Sequence, residues 1–188
     1  MKQVLVMMAA VALGCGKKEH LSTPHTPNED ATSTKHIADL IIEKAIRKEL
    51  KKSTGELTKE DCKKVIKLDL SKKRLTKLPK SLEEIPNLER LWLTQNQLTD
   101  LKGLENLTQL TELYIAGNQL VDIKCLENLT QLTRLNLSGN KLTNLKYLET
   151  LTSITNLYLS YNADLTKAQI VELQKALPNC KILSNPTK

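Results

Sequence analysis

Phenylalanine is absent from the 188 residues, and one tryptophan and four tyrosines supply all the aromatic side chains. The interior must therefore be built from aliphatic residues, and a ring that faces water is not overflow from a crowded core. Histidine is equally scarce. His20, His25 and His36 are the only three, and all lie in or at the end of a polar N-terminal stretch, away from any scaffold that could orient them for proton transfer or metal binding. GxSxG, HExxH and CxxC do not occur, and the acidic residues are dispersed. The expectation is a protein that is not an enzyme and uses no cofactor and no metal. Without a zinc module or a phosphate-cradling glycine loop, no nucleic-acid partner is expected. Long apolar runs are missing too, apart from Val4 to Leu13. That run is too short to span a bilayer but suits the core of a signal peptide, assigned to residues 1–14.

What the sequence has in abundance is leucine at regular spacing. Asn96, Asn118, Asn140 and Asn162 recur every 22 residues inside LERLWLTQNQL, LTELYIAGNQL, LTRLNLSGNKL and ITNLYLSYNAD. A period this short indicates a solenoid, in which each unit buries its apolar face against its neighbours. An earlier coil, VIKLDLSKKRL from Val65, fits the template with Lys73 in the asparagine place. Apolar and polar residues alternate in LYI and LNL, as in a short strand. Leu98, Leu101, Leu104, Leu107 and Leu110 fall three apart, the pitch of a 3₁₀ helix that presents one leucine ridge inward. Each coil thus reads as strand, tight turn and 3₁₀-like return, stacked in parallel at about 4.8 Å. The asparagine stands where the chain turns inward and backbone groups need partners in a dry core. A carboxamide offers donors and acceptors on a short stem, so Asn118→Ala should cost roughly 1 to 3 kcal/mol.

The pattern LxxLxLxxNxL resembles the leucine-rich repeat family, in particular its bacterial internalin-like class with 22-residue repeats, over about residues 36 to 185. The resemblance implies an α/β solenoid with parallel strands on the concave face, 3₁₀ returns on the convex face and capped ends. It also implies a binding scaffold that presents its concave face to a partner. Residues 36–64 supply the helical N-terminal cap. One helix over 36–51 places Ile37, Leu40, Ile41, Ala45 and Ile46 on one face, and a second short helix starts at a Thr58–Asp61 capping box. The repeats run over 65–164. Residues 165–188 form the C-terminal cap and tail, where Thr166 and Gln169 make another capping box, Ile170, Leu173 and Leu177 line a helix, Pro178 stops it, and a strand at Lys181 to Leu183 covers the last edge.

At the other end, Ala12-Leu13-Gly14-Cys15 resembles the lipobox of bacterial lipoproteins, with alanine where leucine is usual. This implies lipidation at Cys15 and a location in the cell envelope, membrane-anchored on the periplasmic or extracellular face; an ordinary cleaved signal with a chance cysteine is the alternative. Two acyl chains, at about 0.8 kcal/mol per buried methylene, hold a protein to a membrane permanently. Residues 16–35 are rich in Ser, Thr and Pro and read as a flexible tether spanning about 25 Å. Cys62, Cys125 and Cys180 remain, an odd number, separated by about two coil spacings each. That exceeds the roughly 7 Å a disulfide tolerates, so free thiols are expected.

Charge is unevenly spread. From 36 to 80 there are 14 Lys and Arg against 7 Asp and Glu, and from 81 to 164 there are 6 against 10. The basic excess on the cap keeps it soluble or meets anionic headgroups. Strand alternation turns two columns outward: Lys67, Arg90, Glu112, Arg134 and Asn156, and beside it Asp69, Trp92, Tyr114, Asn136 and Tyr158, with Tyr161 at the edge. Three of the five aromatics share one column, which points either to an interface or to cross-strand stacking alone. Arg90, Glu112 and Arg134 alternate in sign and can pair with one another, each exposed pair contributing about 0 to 1 kcal/mol. The expected function is an interaction scaffold for a protein or glycan ligand, bound by Arg90, Trp92, Glu112, Tyr114, Arg134, Asn136, Asn156, Tyr158 and Tyr161, with the chain a monomer. The alternative is a structural envelope component with no dedicated ligand.

Overall fold

A computed structural model of the protein describes residues 29–186. The signal segment, Cys15 and the tether as far as residue 28 lie outside the described residues. Each repeat contributes one three-residue strand: β1 (Lys67–Asp69), β2 (Arg90–Trp92), β3 (Glu112–Tyr114), β4 (Arg134–Asn136), β5 (Asn156–Tyr158) and β6 (Lys181–Leu183). They form one parallel sheet in chain order. In every strand but the last the central leucine is buried while its neighbours face outward, which is what a two-residue period requires of a sheet with one dry side. Leu68, Leu91, Leu113 and Leu135 sit opposite one another down the stack, followed by Leu157 and Ile182.

The returns show why leucine recurs at every third place. Leu104 N–H donates to Leu101, Leu107 to Leu104 and Leu110 to Leu107, at 2.9 to 3.1 Å. The same run joins Ile123, Leu126, Leu129 and Leu132, and again Leu145, Leu148, Leu151 and Ile154. A bond between residues three apart eclipses their side chains, so all of them enter the core on one ridge. Short 3₁₀ helices form at Lys80–Glu84, Lys124–Leu126 and Lys146–Leu148. The last two begin where Asp122 or Asn144 accepts from the backbone amide two residues on, at 2.9 and 2.8 Å.

Between strand and return, each coil turns through a left-handed residue placed just before the ladder position: Lys72, Gln95, Gly117, Gly139 and Tyr161, with φ from 56° to 68°. Next comes the asparagine, at most 7% exposed in all four copies. Its Nδ2 donates to the carbonyl three residues earlier and to the matching carbonyl of the preceding coil. Asn118, for example, reaches Ile115 O and Leu93 O at 3.0 Å each. Its Oδ1 accepts from Leu98 N of the preceding coil at 3.1 Å. Asn140 and Asn162 repeat this pattern. Asn96, first in the ladder, accepts from two amides, Lys73 N and Leu75 N, at 3.0 Å each. A second ladder runs beside it, because the hydroxyl of Thr111 donates to Glu89 O, Thr133 to Thr111 O and Thr155 to Thr133 O, at 3.0 to 3.2 Å.

The N-terminal cap differs from expectation in two ways. Its first helix, α1 (Glu29–Leu50), begins in the segment read as tether, which held residues through 35. Once the amphipathic part of a helix is docked, each further residue adds a hydrogen bond without a new nucleation cost, so a polar stretch can continue a helix it could not start. The buried stripe is also rotated. Ile42 and Ile46 are buried, Ile41 and Ala45 are partly covered, and Leu40 is 40% exposed. Adjacent Ile41 and Ile42 allow two registers, and contacts with β1 and the first return, including Ser81 Oγ to Asp39 Oδ1 at 2.9 Å, select one. Ile37 lies outside the residues whose side chains are described. The short helix α2 (Lys59–Lys63) has the reciprocal Thr58–Asp61 capping box, and Asp61 also accepts from Lys52 Nζ at 2.6 Å.

At the C-terminal end Leu165 is buried and Asp164 exposed, so the register shifts by one residue. Helix α3 (Lys167–Ala176) starts at the Thr166–Gln169 box. β6 then covers β5. Cys62 and Cys125 are half-buried free thiols, and Cys180 is a buried one. Burial raises the pKa of each, helped at Cys62 by Glu84 and Asp61 and at Cys125 by Glu105 and Asp122.

Candidate functional site

The strand register sets the two outward columns residue by residue. Arg90 pairs with Glu112, Glu112 with Arg134 and Arg134 with Asn156; Trp92 pairs with Tyr114, Tyr114 with Asn136 and Asn136 with Tyr158. Parallel strands without offset stack like positions directly, so a repeating sequence becomes a column of side chains.

The centre of this face is held rigidly by contacts among its own members. Trp92 and Tyr114 stack with ring centroids 5.7 Å apart and planes 1° from parallel. Tyr114 Oη donates to Glu112 Oε2 at 3.0 Å, and Arg134 Nη1 reaches Glu112 Oε1 at 3.1 Å. One carboxylate therefore fixes both a ring and a guanidinium. Burial and the adjacent Glu112 charge raise the Tyr114 pKa, with Arg134 opposing, so the phenol is neutral at ordinary pH. The Glu112–Arg134 pair forms as the alternating signs suggest, whereas exposed Arg90 has no ion pair among the described residues. Asn136 Oδ1 accepts from Ser138 N at 3.0 Å, and Asn156 Oδ1 accepts from Thr155 Oγ1 at 3.1 Å. Tyr158 is half-buried, but Asn136 stands between it and Tyr114, so the ring stack has two members. Tyr161 lies on the turn beyond β5, in the left-handed conformation and 75% exposed.

Where β1 meets α1, the structure joins Lys48 and Glu49, which periodicity did not single out, to residues that it did. Ala45, Lys48 and Glu49 of the helix, together with Lys67, Asp69 and Trp92, surround a hollow of about 320 Å³. Lys67 Nζ lies 3.8 Å from Glu49 Oε1. Asp69 Oδ1 accepts from Ser71 N at 2.9 Å. Burial opposes charge on Asp69, but the bonds from Ser71 and the nearby Lys48 and Lys73 outweigh it and hold the carboxyl below its usual pKa. The one sequence signal of this hollow is the short aspartate that stands at the head of the column beside Trp92.

Among the described residues no cluster of His, Cys, Asp and Glu could hold a metal ion, and no helix is long and apolar enough to cross a membrane. Nothing in the arrangement indicates catalysis. What it provides is an ordered, partly aromatic surface on a stiff sheet.

Comparison with known proteins agrees with the architecture. The sequence profile described as Leucine Rich repeats (2 copies) matches residues 63–106, 86–130 and 108–150. Among solved structures, an internalin from Listeria monocytogenes is 30% identical with a TM-score of 0.69, covering 82% of this chain and 46% of its own. A leucine-rich repeat protein of Leptospira interrogans is 26% identical with a TM-score of 0.51, covering 65% of this chain and 38% of its own. The chain thus spans less than half the length of either. No curated protein matches it in sequence. Scaffolds of this kind are typical of protein–protein interaction. The chain carries leucine-rich repeats, and its solenoid is built like those of bacterial internalin-like proteins.

Proposed function

We propose that the protein is a membrane-anchored interaction scaffold of the bacterial cell envelope, which holds a protein partner on the strand face of its repeats. The observation that carries this reading is the Trp92–Tyr114 stack, fixed by Glu112 and Arg134 on a water-facing sheet whose interior is already filled by leucine. Rigid rings with polar edges are frequent anchors of interfaces, because they bury a large area and lose little conformational freedom on binding. Arg90, Asn136, Asn156 and Tyr158 surround the stack as a polar rim, with Tyr161 beyond its end. A glycan offered the same surface is the second reading, since stacked rings and amide side chains also suit sugar hydroxyls.

Anchoring rests on the ALGC segment, with Cys15 as the lipidated residue and the chain up to α1 as the spacer. Photocrosslinking from position 158 in intact cells should trap one partner, and Trp92→Ala or Tyr114→Ala should abolish capture while Lys175→Ala does not. Equal loss in all three would remove the strand face from consideration. Cys15→Ala should shift the protein from washed membranes to the soluble fraction, and retention on the membrane would refute the anchor.

A further inference from the structure

The aromatic column stops one strand short of the helical cap. Tyr114 covers one face of Trp92, and the rings are parallel to within 1°. On the other side, β1 contributes Asp69, which is paired in register with Trp92 and is too short to cover an indole. The hollow of about 320 Å³ lies there, closed on its far side by Ala45, Lys48 and Glu49 of α1. Its size is in the range of pockets that enclose a small organic group.

We propose that this hollow takes a tyrosine side chain of the protein partner, with its ring laid on the open face of Trp92 as the third member of the stack and its phenolic O–H donated to the Asp69 carboxylate. The inference rests on the scaffold reading above and names what the strand face grips.

The lining selects the guest by charge. Lys48 and Lys67 stand on one side of the account and Glu49 and Asp69 on the other, so the walls carry both signs. Lys67 is taken up by Glu49, which leaves Lys48 and the Ser71-bonded Asp69 as opposite charges, so neither a guanidinium nor a carboxylate finds an unopposed counter-charge. A neutral, flat ring with a donor at its tip needs none. Asp69 Oδ1 accepts from Ser71 N at 2.9 Å and the Ser71 side chain also steadies the carboxylate, whose oxygens keep acceptor capacity for a phenol. Phenylalanine would stack equally well but would make no bond to the carboxylate, and aromatic pairs favour the offset parallel geometry already present between Trp92 and Tyr114.

Trp92 is the only tryptophan, so its indole N–H resonance and its emission report on this site alone. The full chain is titrated with N-acetyltyrosinamide, N-acetylphenylalaninamide, N-acetylargininamide and methyl glucoside. The tyrosine amide should shift the Trp92 signal saturably, and the phenylalanine amide should bind about tenfold more weakly, for want of a charge-assisted hydrogen bond. Asp69→Asn should narrow that preference. Asp69→Tyr should fill the slot from within and abolish the response, with the circular dichroism melt lowered only slightly by loss of the bond from Ser71 N. No saturable shift, an unaltered response in Asp69→Tyr, equal binding of both aromatic amides or tighter binding of the arginine amide would overturn the proposal, and saturation by methyl glucoside alone would reassign the hollow to a glycan. Capture in cells separates the two levels: loss on Trp92→Ala but not on Asp69→Tyr leaves the scaffold and removes the tyrosine slot, whereas capture that ignores both removes the scaffold as well.

Discussion

Alanine substitution of the four ladder asparagines should not cost the same free energy at each place, because the carbonyls they hold are shared. Leu93 O accepts from both Asn96 and Asn118, Ile115 O from Asn118 and Asn140, and Leu137 O from Asn140 and Asn162. Removing Asn118 therefore leaves Leu93 O and Ile115 O with one amide each and strands only Leu98 N–H. At about 1 to 3 kcal/mol for a buried group without a partner, Asn118→Ala should cost about 2 kcal/mol, and Asn140→Ala the same. The ends of the ladder have no such cover. Asn162→Ala strands Leu142 N–H and also Leu159 O, which has no second asparagine. Asn96→Ala strands Lys73 N–H, Leu75 N–H and Leu70 O. Both should cost about 3 to 4 kcal/mol, with Asn96 discounted slightly because its Lys73 contact is only partly buried. Urea unfolding at a common slope gives the four values, and hydrogen exchange detects local opening near Asn162 that a global transition could hide. Equal losses at all four sites, or a larger loss at Asn118 than at Asn162, would refute the shared-carbonyl account.

The left-handed place before each asparagine predicts opposite effects of opposite substitutions. Gln95→Gly should stabilise by up to about 1 kcal/mol in thermal melts, and Gly117→Ala should destabilise by about 1 to 2 kcal/mol, since its Cβ would also lie 3.4 Å from Gln95 Cγ. In the second ladder, Thr133→Val removes the bond to Thr111 O and should cost about 1 kcal/mol in urea unfolding, whereas Thr130→Val, which makes no such bond, should cost almost nothing. Lys52 above all, and then the Thr58 amide and hydroxyl, hold the Asp61 carboxyl far below its usual pKa. A depressed carboxyl contributes stability above its unfolded pKa, near 3.9, and loses it as pH falls below that value. The α2 cap of the natural chain should therefore loosen in acid, seen as faster amide exchange at residues 59–63, and Lys52→Met should flatten this dependence. A cap equally acid-sensitive without Lys52 would contradict the assignment.

How much of this was legible in the sequence follows from which interactions repeat. The strands, the leucine ridge and the capping boxes at Thr58 and Thr166 depend on neighbours within one coil or one turn, so spacing alone located them. The asparagine ladder could be placed because a short carboxamide among leucines needs a dry site rich in backbone groups. The left-handed turn was hidden, since glycine occupies it in only two of five copies, and Lys72, Gln95 and Tyr161 mask the pattern. The threonine ladder was masked differently, because a threonine at a strand entrance reads equally well as a solvated β-former. The register of α1 and the hollow beside Asp69 depend on contacts between a helix and a sheet far apart in sequence, and no period encodes these.

The same separation explains how such a surface can be specialised without loss of the fold. Every ladder bond runs from a buried side chain or a strand entrance to the backbone of its own or the preceding coil, and none involves the side chain of Arg90, Trp92, Tyr114 or Arg134. Trp92, Tyr114 and Arg134 contact one another or Glu112, Arg90 makes no ion pair among the described residues, and all four can be exchanged at the cost of exposed interactions, small beside the leucine ridge. Asp69 is the exception among the outward residues, because it both ends the aromatic column and accepts from the Ser71 amide where β1 turns inward. Asn136 makes the same bond to Ser138 N two coils on. The turn at β1 therefore needs an acceptor but not a charge, and the aspartate adds a charge beside Trp92.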